Sequence, residues 1–263
     1  MPVRFETAMT RGAELTTATI SSFKVTAFLD DAQSTPFMNE TEVSRPSGTW
    51  TYGPEKYWPK NDAVHFFAYA LSQDEGTLTK PTFVKASDDS FQATFTYSLP
   101  KPKGDNVDAS NQPDLVFAFQ TGLTEEIGKV KFTFSHALAT IRFKIGSVQP
   151  GTVLEGIDLV NVRSTAECVV IGDSNDNLTF TWGDPSYYTV LNQTYPSVSL
   201  TDGMDLSADY PEAAFMMIPQ TLDNNAYLRV RIKVDGVQQT RKLDLAGTTW
   251  NANEIHTYTI TLN

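Results

Sequence analysis

Cysteine is almost missing from this chain. The single Cys168 in 263 residues has no partner for an internal disulfide. It sits in the apolar run Cys168-Val169-Val170-Ile171, where a buried structural thiol is expected rather than a nucleophile. Long hydrophobic runs are missing as well. The longest, such as Ala213–Ile218, fall far short of the ~20 apolar residues a spanning helix needs. Positive charge is sparse: 20 Lys and Arg against 31 Asp and Glu give a net charge of −11. Such a chain repels phosphate backbones and anionic lipid, so nucleic acid and bare membrane are excluded as partners. No signal peptide is visible, and the start at Met1-Pro2-Val3-Arg4-Phe5 is already strand-like. The expectation is that an export segment has been removed, with Met1 added or reused as the start.

The motifs of common enzymes are missing too. There is no Gly-x-Ser-x-Gly elbow, phosphate loop or dinucleotide fingerprint. His65, His136 and His256 lie in strand-like runs and show no metal-ligand spacing, which predicts structural histidines. Ser135 and His136 are neighbours in an extended run and point to opposite faces, against a nucleophilic dyad. Asp173–Asn177 is rich in oxygen ligands, but Leu178 stands where a helix-loop-helix calcium site needs glycine. The acidic pairs Asp30-Asp31, Asp88-Asp89 and Glu125-Glu126 read as solvated loop charges. A glycosidase would need two carboxylates roughly 5–10 Å apart in a cleft, and no pair is singled out. The reading is a non-enzymatic protein with no catalytic residue, no metal and no cofactor.

What is present is alternation. With 40% hydrophobic and 11% aromatic residues the chain can bury real cores. Phe91, Ala93, Phe95, Tyr97 and Leu99 alternate with polar residues until Pro100 stops the run. Phe23–Leu29, Leu228–Val234 and Ile255–Leu262 repeat the pattern. Val64–Ala70 is apolar on both faces, as a central strand is. Thr49–Tyr52 reads as a short aromatic strand, and Gly156–Val162 and Cys168–Ile171 as two short ones. Asp235-Gly236 is a strong hairpin signal, and Cys168–Ile171 with Leu178–Trp182 forms a second candidate hairpin. No stretch carries a long amphipathic helix. The prediction is all-β, in two β-sandwich domains over 1–126 and 127–263.

The run Lys129–Ile145, KVKFTFSHALATIRFKI, holds two patterns. Val130, Phe132 and Phe134 occupy even positions; Ala137, Ala139, Ile141, Phe143 and Ile145 occupy odd ones. One regular strand cannot bury both sets on one side, so a bulge or a change of sheet is expected near Ser135-His136. This run is read as opening the second domain.

Trp50, Tyr52, Tyr57 and Trp58 cluster in sequence. They could form an aromatic platform for sugars, or plug one end of the first domain's core.

Four segments resemble the Mfa-like fimbrillins, the type V pilus subunits and surface lipoproteins of Bacteroidota. They are Tyr57-Trp58-Pro59 with Val64–Ala70, the Phe132–Ile141 run FTFSHALATI, Met217–Leu222, and Trp250–Leu262. The resemblance implies two tandem transthyretin-like (Ig-like) sandwiches, export as a lipid-anchored precursor, and display on the outer membrane. It implies partners too: other pilus subunits joined by strand addition. The alternative reading, resting on the Trp50–Trp58 aromatics, is a non-polymerising surface lipoprotein that binds host or bacterial surface glycans or proteins. In polymerising members a protease cuts after an arginine near the N-terminus, and loss of the first strand opens a groove that another subunit's strand fills. Thr10-Arg11-Gly12 resembles that processing region, with Arg4 as the second candidate. Arg11 is either the cut site or an ordinary surface arginine. The lipobox cysteine of the family is absent. The chain ends at Asn263, directly after its last strand, where polymerising stalk subunits carry a longer donor tail. That favours an end-of-fibre subunit or a surface lipoprotein that does not polymerise.

Overall fold

A computed structural model describes residues 1–9, 15–30, 35–72, 77–85, 91–100, 107–108, 112–172, 177–210 and 214–263. The chain is built almost wholly of strands. In order they are β1 (Phe5–Met9), β2 (Ser22–Leu29), β3 (Met38–Ser44), β4 (Val64–Leu71), β5 (Thr82–Lys85), β6 (Phe91–Ser98), β7 (Val107–Asp108) and β8 (Leu115–Leu123). Next come β9 (Val130–His136), β10 (Ala139–Val148), β11 (Thr152–Gly172), β12 (Leu178–Trp182), β13 (Ser186–Ser199) and β14 (Phe215–Met217). The last are β15 (Gln220–Thr221), β16 (Tyr227–Val234), β17 (Val237–Asp244), β18 (Thr249–Trp250) and β19 (Ile255–Leu262). Among the described residues helix is confined to a 3₁₀ turn, Glu125–Ile127, and one short α-helix, α1 (Leu206–Asp209).

The first sheet runs β1-β9-β8-β4-β2-β3. Its centre is β4, buried along Val64–Ala70, because β2 and β8 flank it and cores press on both faces. Val64, Phe66, Ala68 and Ala70 join one apolar cluster, while Phe67 and Tyr69 join another. The sheet curls strongly. Phe23 of β2 meets Phe132 and Phe134 of β9 at ring centroids 5.7 and 5.4 Å apart, although two strands lie between β2 and β9.

The phase change in Lys129–Ile145 is a change of sheet. Val130, Phe132 and Phe134 bury into the first cluster from β9. The chain turns at Ala137-Leu138, and Ile141, Phe143 and Ile145 bury into the second cluster from β10. Strand β10 pairs antiparallel with β14 and parallel with β19 in a three-stranded sheet. Strand β9 does not open the C-terminal half, as the sequence reading had it; it hydrogen-bonds to β8 and β1 in the first sheet.

Strand β11 departs furthest from the sequence reading. Its two predicted short strands are one strand of 21 residues, roughly 65 Å of extended chain. Bulges at Gly156 and near Val162 shift its register. Asn161 there has φ of 58°. The bulges break the alternation and hide its continuity from the sequence. The first part of β11 lies between β16 and β13, and the last part, Thr165–Gly172, between β6 and β12. One strand therefore pairs with β13 and β16 and also runs, beside β6, over the first sheet. Phe95 of β6 stacks on Phe117 of β8 at 4.9 Å, so a single apolar cluster runs through both halves.

Other elements match their patterns. β6 alternates buried and half-buried residues over Phe91–Ser98, and β16 buries Leu228, Val230, Ile232 and Val234. Asp235 (φ 50°) and Gly236 (φ 80°) make the turn between β16 and β17. Strands β11 and β12 pair over Cys168–Gly172 and Leu178–Trp182 as a hairpin. Thr49–Tyr52 forms no strand; Thr51 makes only an isolated bridge to Ser44.

Candidate functional site: the edge strand and its cradle

Strand β1 sits at the edge of the first sheet and pairs parallel with β9, from Phe5 opposite Val130 to Met9 opposite Phe134. On its other side β9 meets β8 at only two residue pairs, Val116 with His136 and Phe117 with Ser135. Most backbone partners of β9 thus come from β1.

The side chains of β1 and of Val3 just before it also complete a core. Val3 is fully buried and Phe5 is 5% exposed. Phe5 stacks on Phe132 at 5.7 Å and meets Phe23, Phe66 and Tyr52 edge-on at 6.1, 6.1 and 5.4 Å. The Tyr52 hydroxyl donates to the Val3 carbonyl at 3.1 Å, and Val3 N–H donates to the Lys56 carbonyl at 2.9 Å. Burial pushes the Tyr52 phenol above its usual pKa. Outside the core, Arg4 pairs with Glu55 at 3.0 Å and Lys129 donates to Glu6 at 2.5 Å. The Lys129 ammonium holds the Glu6 carboxyl below its usual value.

Thr10, Arg11 and Gly12 lie outside the described residues. Beyond them the chain is anchored again at Leu15, whose N–H donates to Asp114 Oδ2 at 3.1 Å. Asp114 is fully buried and faces the His136 ring, with Oδ2 2.9 Å from Nδ1. Ser72 Oγ accepts from Asp114 N–H at 2.8 Å. The segment bearing Arg11 is thus tied at both ends, by β1 pairing and by the Asp114–His136 pair. Asp114 escaped sequence reasoning, since a carboxylate between Pro113 and an apolar run carries no local sign of its partner.

The four aromatic candidates do not assemble into a platform. Trp58 is 5% exposed and packs edge-on against Phe66 at 5.7 Å. Trp50 is half-buried against Phe23 at 4.8 Å, under the Arg45 guanidinium. Tyr52 is the cradle residue described above. Only Tyr57, 60% exposed, faces solvent, and its hydroxyl donates to Glu55 at 3.1 Å. The end-of-core reading fits three of these rings.

The histidines are structural in their contacts. His65 stacks on Phe91 at 4.2 Å and lies 2.8 Å from Asp30, and Gly122 N–H donates to its Nδ1. His256 accepts from Asn251 N–H at 3.2 Å. Cys168 is buried, and burial pushes its thiol pKa far up. Most of the Asp173–Asn177 loop lies outside the described residues. Among the described residues no group of three His, Cys, Asp or Glu could hold a metal ion, and no helix is long and apolar enough to cross a membrane.

An all-β chain with a core-completing edge strand is the class of protein these features define. The family model of fimbrillin-like proteins matches residues 9–263, and the chain belongs to that family. A fimbrial protein from Bacteroides vulgatus superposes with a TM-score of 0.62 at 20% identity, over 98% of this chain and 94% of that one. A proposed cell adhesion protein from Bacteroides ovatus gives 0.52 at 12% identity, over 99% and 92%. Another, from Bacteroides uniformis, gives 0.50 at 18%, over 100% and 94%. These likenesses concern the fold. No curated protein sequence matches the chain.

Proposed function

We propose that this fimbrillin-like protein is a non-enzymatic cell-surface component of a fimbrium, exported as a lipid-anchored precursor and assembled by strand exchange at β1. The observation that carries the reading is the asymmetry around β9. It has five paired residues on the β1 side and two on the β8 side. Departure of β1 would leave Val130–Phe134 with unpaired backbone and vacate the pockets of Val3 and Phe5. An extended strand from another subunit would satisfy both, which is the physics of strand addition. Arg11 lies between the two anchors of the N-terminal segment and is the proposed cut site, with Gly12 as the new N-terminus and Arg4 as the second candidate. We further propose two sandwich units of transthyretin-like type. The pairing of β9 supports a boundary near Ala137-Leu138 rather than at 126/127.

The test is cleavage by an arginine-specific protease, followed by intact mass and size-exclusion chromatography. The expected result is one cut after Arg11, loss of residues 1–11, and uptake of a synthetic donor-strand peptide. Retention of the segment after cutting, with no uptake of peptide, overturns the proposal.

A further inference from the structure

The turn at Ala137-Leu138 organises a second feature, far along the chain from β1. A cleft of about 760 Å³ opens where β12, the β15–β18 ribbon and the loop Asn251–Asn253 converge. Three of the four segments that carry the family resemblance contribute to its walls, through Ser135, Pro219–Leu222 and Trp250–Asn253.

The walls are held in place by the strand-crossing corner. Trp182 Nε1 donates to the Ala137 carbonyl at 3.1 Å, which fixes a half-buried indole that lines the cleft. Asn253 N–H donates to the Leu138 carbonyl at 3.1 Å, and His136 N–H donates to Asn253 Oδ1 at 3.4 Å. Across the cleft, the Thr221 and Thr249 hydroxyls lie 3.0 Å apart. Asn251 Nδ2 donates to Glu254 at 3.0 Å.

The chemistry of these walls narrows the ligand. An indole with exposed amides and hydroxyls offers one apolar face and several hydrogen-bond partners at fixed positions. Asp184 and Asp223 add carboxylate oxygens. Among the described lining residues the one cation is Arg163, and its guanidinium is engaged by Asp223 at 2.7 Å and by the Pro185 carbonyl at 2.8 Å. A phosphate, sulfate or carboxylate would therefore face two carboxylates and a guanidinium that is already engaged. A lipid or apolar peptide would leave the remaining hydrogen-bonding capacity of these hydroxyls and amides, beyond the Thr221–Thr249 and Asn251–Glu254 bonds, without water.

We propose that this cleft is a binding site for a neutral oligosaccharide, with Trp182 as the stacking ring and Thr221, Thr249 and Asn251 as hydrogen-bonding partners. The site lies away from β1 and does not depend on strand exchange, so the uncleaved chain should carry it.

The experiment is saturation-transfer NMR on the intact chain with lactose, N-acetyllactosamine, mannotriose and xylotriose, and 3′-sialyllactose as the anionic comparison. At least one neutral sugar should receive saturation, and sialyllactose should bind more weakly than lactose. Trp182→Ala should lower the affinity by about tenfold or more, the scale of a lost ring contact. Because Trp182 also meets Phe95 at 5.7 Å, Thr249→Val and Asn251→Ala, on exposed side chains, serve as variants that keep the core intact. Each should weaken binding severalfold. Silence from the whole panel, binding by both exposed variants as tight as that of the unaltered chain, or stronger binding of sialyllactose than lactose overturns the proposal. Since no cut chain enters this assay, its failure leaves the strand-exchange reading to its own test.

Discussion

Asp158 lies fully buried on β11, while its partners on β16, Arg229 at 2.7 Å and Arg231 at 3.2 Å, remain more than a third exposed. The two ends of this cluster should respond unequally to mutation. Asp158→Asn leaves two arginines that water can solvate, so its cost should be small. The double change Arg229→Ala and Arg231→Ala leaves a buried carboxylate without a cation, and should cost roughly 3 kcal/mol. Urea unfolding of both variants checks the order; equal losses would remove the burial argument. Gly172, at the end of β11, is a second sensitive position. A Cβ there would lie 2.2 Å from Phe119 Cδ2, and that ring is locked edge-on against Phe67 at 4.8 Å. Gly172→Ala should therefore destabilise by about 1–3 kcal/mol through overpacking, read as a lower unfolding midpoint.

Strand β1 is short, and its hold comes from Phe5 and from the β9 ladder. Phe5→Ala removes a ring that touches four others, and should cost roughly 3–5 kcal/mol of the folded chain's stability. If β1 is the exchanged element, the same variant should speed release of the cut N-terminal segment, measured by chromatography after Arg11 cleavage. The Glu6–Lys129 contact adds a small, pH-dependent tether at the solvent face. A carboxyl lowered in the folded state stabilises fully above its unfolded value, here 4.5. That gain fades as pH falls through the lower folded value. NMR titration of Glu6 should give a midpoint under 4.5, and Lys129→Met should raise it. A midpoint unmoved by Lys129→Met would assign the shift to another group.

At the scale of the whole molecule, the halves share β11 and one apolar cluster from Phe67 to Leu262. Neither half can open without exposing the roof of the other. Thermal unfolding of the intact chain should therefore be a single transition with equal calorimetric and van't Hoff enthalpies. Two resolved transitions would show that the shared strand does not couple them.

The sequence alone determined the all-β class, the two-faced burial of β4, the alternation of β6 and β16, and the turn at Asp235-Gly236. These follow from local periodicity and turn chemistry, which neighbouring residues state by themselves. It also announced a bulge or a change of sheet within Lys129–Ile145, because two apolar phases cannot share one face; the structure made it a change of sheet. Only the tertiary structure decided which sheet β9 joins, since hydrogen bonds to β1 come from residues more than a hundred positions away. Only it joined Gly156–Val162 to Cys168–Ile171, because bulges interrupt the alternation that would mark one strand. Of the clustered rings at Trp50–Trp58, three turned inward and Tyr57 faces solvent, whereas Trp182, Thr221, Thr249 and Asn251, scattered along the chain, came to share one cleft. Sequence proximity does not set side-chain direction across a loop, and a cleft built from several separate segments exists only once their strands have paired.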